Sequence, residues 1–191
     1  MKFGTKVIIA LALLANLWFV SSCNNGPKRE LWLDEVYKDS CFVQDWGIPQ
    51  INQSVVWTPL TVNGVVYKRG IGAHSISRML YDLGGKAVSV SGLVGADDNN
   101  LYAGKLQFKI IGDKKELWKS GVMQKGDPVK EFNVSLSGID KVLLLVEECG
   151  DGIMYDHADW LNVKFVTRGE ITPIPAWPKP VAKEKYILTP E

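Results

Sequence analysis

Leu106-Gln107-Phe108-Lys109-Ile110 alternates apolar and polar side chains with a period of two. That period places one row of side chains on a buried face and the other toward water, which is how a half-buried strand reads. The pattern recurs along the chain. Phe132, Val134 and Leu136 alternate with Glu131, Asn133 and Ser135. Val88, Val90 and Val94 alternate with Ser89, Ser91 and Leu93, and Leu161, Val163 and Phe165 form a last set. Lys141 to Val146 is apolar at nearly every position, as a central strand covered on both faces would be. No segment carries a sustained 3.6-residue period, so no long helix is expected.

Turn chemistry punctuates these runs. Asn63-Gly64 sits between Leu60-Thr61-Val62 and Val65-Val66-Tyr67, a hairpin in which both turn residues tolerate positive φ. Gly84-Gly85 and Gly112-Asp113 mark further turns. Many short strands and no long helix predict an all-β fold, a single antiparallel β-sandwich of jelly-roll type.

The two ends read differently. Lys2 and Lys6 precede an apolar run from Val7 to Val20, broken only by Asn16 and too short to make a good membrane span. It ends in Val20-Ser21-Ser22-Cys23, which resembles a bacterial lipobox. The resemblance implies a signal peptide over 1–22, cleavage before Cys23, a diacylglycerol on its thiol and a short tether over 23–30. The acyl chains would then hold the protein at a membrane without a transmembrane helix. At the other end, five of the nine prolines fall at 173, 175, 178, 180 and 190. A segment so rich in proline cannot pair as a central strand, so residues 169–191 are expected to be a separable linker and the domain to span 31–168.

Composition excludes some partners. Without Lys2 and Lys6, 20 of the 22 basic residues remain against 21 acidic ones. A near-neutral chain with no basic block is not built to neutralise phosphates, so nucleic acid is not an expected ligand. Cys41 and Cys149 are left in a compartment that permits disulfides; they could pair or remain thiols. No Cys-x-x-Cys motif suggests a zinc site.

Polar residues concentrate in three turns: Lys68 to Ser75, Gly95 to Asn100, and Cys149 to Trp160. Both histidines of the chain, His74 and His157, lie there. Candidate binding residues are His74, Arg69, Asp97, Asp98, Asp156, His157 and Asp159, with Trp46 or Trp160 as an aromatic platform. Each has a plainer alternative: Trp160 could be core, His74 could hold its own turn, and the aspartates could cap turns or ligate calcium. Structural calcium suits Asp-rich loops, but the spacing is not that of an EF-hand and metal ligands stay unassigned. No Gly-x-Ser-x-Gly, His-Glu-x-x-His or phosphate-cradling motif is present, and a small domain with acids in rim turns has little room for a water-excluding cleft. No catalytic residues are expected on this chain.

An ordered set of these motifs carries a resemblance. Gly70-Ile71-Gly72-Ala73-His74, Tyr81-Asp82-Leu83-Gly84-Gly85, Gly95-Ala96-Asp97-Asp98, Leu117-Trp118-Lys119-Ser120-Gly121 and Asp156-His157-Ala158-Asp159-Trp160 together resemble the NPCBM/NEW2 domain, also known as carbohydrate-binding module family 51. The resemblance implies recognition of galactose or galactose-terminated glycans. Pro178-Lys179-Pro180 and the residues after it resemble the linker that follows this module in Bacteroidetes α-galactosidase-like enzymes. Two expectations follow. The chain is a non-catalytic lipoprotein of the cell envelope, at the outer membrane, with a glycoside hydrolase as a partner. Alternatively, it is the truncated N-terminal part of such a hydrolase.

Overall fold

The computed structural model describes residues 26–175. The export segment, Cys23 and the prolines at 178, 180 and 190 lie outside the described residues. In chain order the strands are β1 (Arg29–Trp32), β2 (Phe42–Gln44), β3 (Gln50–Ile51), β4 (Leu60–Val62), β5 (Val65–Tyr67), β6 (Gly70–His74) and β7 (Ser77–Asp82). They continue as β8 (Ala87–Ala96), β9 (Leu106–Gly112), β10 (Lys115–Lys119), β11 (Lys130–Ser135), β12 (Lys141–Glu148), β13 (His157–Thr167) and β14 (Thr172–Pro173). Among the described residues the helical content is one turn, α1 (Leu33–Val36), and a 3-10 turn over Asp39–Cys41.

Two antiparallel sheets face each other. The first runs β11-β8-β13-β6-β3 and the second β10-β9-β12-β7-β14. β13 and β7 each share one edge between two short strands. On β13, β6 occupies 157–161 and β1 occupies 164–167. On β7, β2 pairs at 77–79 and β14 at 81–82. The predicted hairpin is present as β4-β5, with Asn63 at φ 48 and Gly64 at φ 76.

The core between the sheets draws its largest side chains from the alternating strands: Phe108 and Ile110, Phe132 and Val134, Val90 and Val94, and Trp160 and Phe165. In two places the simple alternation fails, each at a register shift. Thr167 pairs with Ala87 while Val166 pairs with Ser89, so Val88 is the extra residue of a bulge. Ala87 takes the buried place and Val88 turns partly outward. A second shift lies between Leu161 and Lys164, where Asn162 has φ 49. Val163 and Phe165 therefore join Trp160 in the core, and Leu161 faces the other way, against Leu60 and Val62 of the hairpin.

β12 is central, as its sequence predicts, between β9 and β7. Val142, Leu144 and Val146 enter the main core. Leu143 and Leu145 face outward with Leu80 and Ile111, covered by Ile76 and Ile174. The start of the proline-rich tail thus belongs to the fold. Ile171 is buried in the main core, and Ile174 donates its N–H to Leu80 O at 3.1 Å. Thr172–Pro173 can pair because it lies on a sheet edge, where proline's missing donor faces away from the ladder. At the other end β1 begins at Arg29, inside the expected tether. Cys41 and Cys149 are free thiols.

Candidate functional site

β6 ends in His74 and β13 begins at His157, and the two are directly paired across the sheet. Their rings stand 5.6 Å apart. Trp46, from the segment after β2, closes a cluster over them. Its ring is 5.0 Å from His74, and 5.8 Å from His157 with only 4° between the planes. Gly47, at φ 73, makes the turn behind it. Gln44 fastens this segment to β6: its Oε1 accepts the His74 N–H at 3.0 Å. Trp46 remains 49% exposed, a ring face offered to solvent.

The three rings form one wall of a cleft of about 640 Å³. Thr58 and Asn99 bring further polar groups to the lining, and Val56, Leu101, Ile153 and Met154 add apolar surface. His74 Nδ1 lies 2.5 Å from the Ser75 carbonyl. A carbonyl only accepts, so Nδ1 carries the proton and Nε2 is left as an acceptor. Burial, reinforced by neighbouring His157, lowers the His74 pKa to about 4 against the opposing pull of the Ser75 carbonyl and Asp45. Burial likewise lowers that of His157, with Asp97 opposing. Both rings are neutral at neutral pH.

The expected aspartates are brought to this end of the sandwich, behind the cleft, where Asp97 and Asp98 are engaged and Asp159 has no hydrogen-bond partner on either oxygen. Asp97 is fully buried; Oδ2 accepts the Thr61 N–H at 3.2 Å, and Oδ1 accepts both the backbone and side-chain N–H of Asn99 at 2.7 Å. Asn99 Nδ2 also reaches Thr58 Oγ1 at 2.8 Å, so Asp97 holds two cleft residues from behind. Asp98 accepts the N–H groups of Asn63 and Gly64 at 3.0 and 2.8 Å and pins the hairpin turn. Asp156 is buried, with Oδ2 accepting the Ser75 hydroxyl and Oδ1 unpartnered. Burial pushes its pKa up to about 6, with Asp151 and Glu148 adding to the rise and the Ser75 hydroxyl opposing it. Asp159 is fully buried between Gly72 and Gly95 in the sheet register. A Cβ at Gly72 would overlap the Gln53 carbonyl and one at Gly95 would overlap Val62, so these glycines admit the covering loop over Asp159. Burial raises the Asp159 pKa well above the carboxylate range, and Asp97 raises it further. Buried and with neither oxygen hydrogen-bonded, Asp159 is held in its protonated form.

Two expected contacts belong elsewhere. Trp160 is wholly buried, edge-on to Phe108 at 5.1 Å and Phe132 at 6.0 Å; it opens β13 on the core face, so it cannot reach a ligand. Arg69 lies at the opposite end of β6, where it donates to Asp34 and Glu35 and sits 4.5 Å above the Trp32 ring, which it also occupies. Among the described residues no three His, Cys, Asp or Glu groups converge as a metal site.

Sequence reading missed Val56, Thr58 and Leu101, which approach from loops with no local signature. It also missed Asn100. Asn100 Oδ1 accepts the His157 N–H at 2.8 Å, and Nδ2 donates to His157 O at 3.0 Å. This bidentate clamp on the backbone fixes where the histidine stands.

The NPCBM/NEW2 domain model matches residues 29–166. The chain belongs to the NPCBM/NEW2 domain family. The module is 30% identical over 130 residues to alpha-1,3-galactosidase B of Akkermansia muciniphila, covering 66% of this chain and 16% of that protein. It therefore spans less than a fifth of that relative. A family 51 carbohydrate-binding module from a Clostridium perfringens family 95 glycoside hydrolase, solved with methyl-galactose, superimposes with a TM-score of 0.65 at 26% identity, over 72% of this chain and 99% of the other. The Clostridium perfringens ZmpB structure, in which two such modules accompany an M60 catalytic domain, gives a TM-score of 0.66 at 27% identity, over 74% and 15% of the two chains. The NPCBM/NEW2 module is a carbohydrate-binding module, a non-catalytic type of domain.

Proposed function

We propose that the module binds a terminal galactose-type sugar in the cleft formed by Trp46, His74 and His157. The observation that carries this reading is the half-exposed Trp46 ring held beside two neutral imidazoles. The apolar face of a pyranose stacks on an aromatic ring, and its hydroxyls need donors and acceptors at the edge. His74 Nε2 is an acceptor, and Asn99 and Thr58 add polar groups alongside. The methyl-galactose complex of a neighbour 26% identical to this chain supports the same sugar class. Calorimetric titration of galactose and glucose tests it. Galactose should bind more tightly, and Trp46→Ala and His74→Ala should each abolish measurable uptake. Equal affinity for glucose, or wild-type binding by both variants, overturns the reading.

The same proposal places the module at the outer membrane through a lipid on Cys23, working beside a glycoside hydrolase. A second reading, that it is the N-terminal part of such a hydrolase, is favoured by the small share of the galactosidase relative that it covers. The coding sequence downstream distinguishes the two: an in-phase catalytic domain makes this the severed module of an enzyme.

A further inference from the structure

The cleft is larger and more apolar than one sugar ring requires. Clefts of about 300–1,000 Å³ hold drug-sized ligands, and at about 640 Å³ this one falls within that range. A monosaccharide has only about 12 heavy atoms. We propose that the cleft takes a galactoside whose anomeric oxygen carries an alkyl chain, with the sugar against Trp46 and the histidines and the chain against Leu101, Ile153 and Met154. The inference rests on the proposed reading of the cleft and narrows its class of ligand.

Leu101 and Met154 are 75% and 70% exposed, and Ile153 adjoins Met154 in the same lining. A lone exposed apolar side chain needs no explanation, but several in one recess mark a binding groove. The group is built into the fold. Tyr102, next to Leu101, sets its ring edge-on to Tyr155 at 4.9 Å. Farther along the same loop, a Cβ at Gly104 would overlap Asp156 Oδ1 and the Met154 carbonyl, so glycine lets the two loops close on each other. Asp156 in turn accepts the Ser75 hydroxyl, beside His74. The apolar loops therefore stand in a fixed place relative to the imidazoles.

The chemistry of the lining selects the occupant. Leucine and isoleucine side chains neither donate nor accept, and the methionine thioether accepts only weakly. A second sugar laid against them would bury hydroxyls without partners. Among the described lining residues none carries a charge at neutral pH, so an ionic substituent would lose its hydration for no counter-charge. A saturated chain has no polar group to leave unpaired, and it gains by leaving water. A terminal sugar is substituted at its anomeric oxygen, so the chain departs from that atom.

The test is calorimetric titration of the full chain with methyl β-galactoside, with lactose, and with octyl β-galactoside below its micelle concentration. Octyl β-galactoside should bind about tenfold or more tightly than methyl β-galactoside; tenfold is about 1.4 kcal/mol, which fewer than two fully buried methylenes supply. Replacing both exposed side chains, Leu101→Ser with Met154→Ser, should bring the octyl-to-methyl ratio down to about one at an unchanged melting temperature. Leu101→Met with Met154→Leu should keep the ratio. An octyl group that adds nothing, a ratio that survives the serine variant, or a gain for lactose as large as that for octyl β-galactoside overturns the alkyl site and leaves the first reading standing. Failure of the first reading is distinct: the wild-type protein takes up no methyl β-galactoside, or octyl β-glucoside binds as tightly as octyl β-galactoside, and then both proposals fall.

Discussion

His74 and Asp159 are paired into the same sheet end, and burial moves them in opposite directions. His74 presents Nε2 as an acceptor only while the ring is neutral. Its folded pKa lies near 4, below the ordinary histidine value. Galactose affinity should accordingly be flat from pH 8 through 6.5 and weaken as the pH falls toward 4, when Nε2 gains a proton; calorimetry across that range checks it. Asp159 has a raised folded pKa. Its contribution to stability is full below the unfolded value and is lost as the pH rises through the raised folded value. Asp159→Asn is neutral at every pH and so carries no such loss. Its melting temperature should therefore gain on the wild type as the pH is raised from 4 to 9; a constant gap would contradict the assignment of the proton. The two tryptophans separate just as clearly. Trp160→Ala should cost about 3–5 kcal/mol of stability, measurable by urea unfolding, while Trp46→Ala should leave stability nearly unchanged. Composition drew attention to both tryptophans and to the aspartates, because polar and aromatic residues crowd three turns. It could not tell a side chain facing the cleft from one behind it. That distinction depends on which face of β13 each residue takes, and on a covering loop, 52–62, that is remote in sequence.

At the level of elements, strand periodicity was legible wherever the strand is regular, as in β9 and β11. It misled at the Val88 and Asn162 bulges, because one inserted residue reverses which face follows and nothing in local composition marks it. β12 shows a different limit. Its apolar character on both faces demands a cover on the outer side, and the cover turns out to be the segment dismissed as linker. Ile174 lies over Leu143 and Leu145, and Ile171 enters the main core. Proline content foretold that this segment could not be a central strand, but an edge strand makes no such demand. Truncation after Arg168 should therefore destabilise the domain, since burying one isoleucine fully is worth about 1.5–3 kcal/mol. Truncation after Pro175 should not. Thermal unfolding of the two shortened chains decides the matter: equal melting temperatures would mean that the segment merely lies on the surface.

For the molecule as a whole, weak binding at a single site has to be reconciled with useful retention on a glycan. A monosaccharide of about 12 heavy atoms, gaining roughly 0.3 kcal/mol per atom, binds with about 4 kcal/mol, a dissociation constant near millimolar. A soluble monomer of that affinity would not stay on a glycan surface. Anchored copies would, because once one copy is engaged the next binds at the high effective concentration set by the shared membrane, and avidity can exceed a single affinity by about 10²–10⁴-fold. Under the proposed function, the lipid on Cys23 would offset the weakness of the single site. Cys23→Ala should move the protein from the membrane to the soluble fraction. Vesicles carrying the wild-type lipoprotein should be held on galactose-coated beads and eluted by free galactose, while the soluble Cys23→Ala protein at the same total concentration should wash through. Equal retention of both forms would show that one module suffices, and unchanged fractionation of the variant would remove the anchor from the argument.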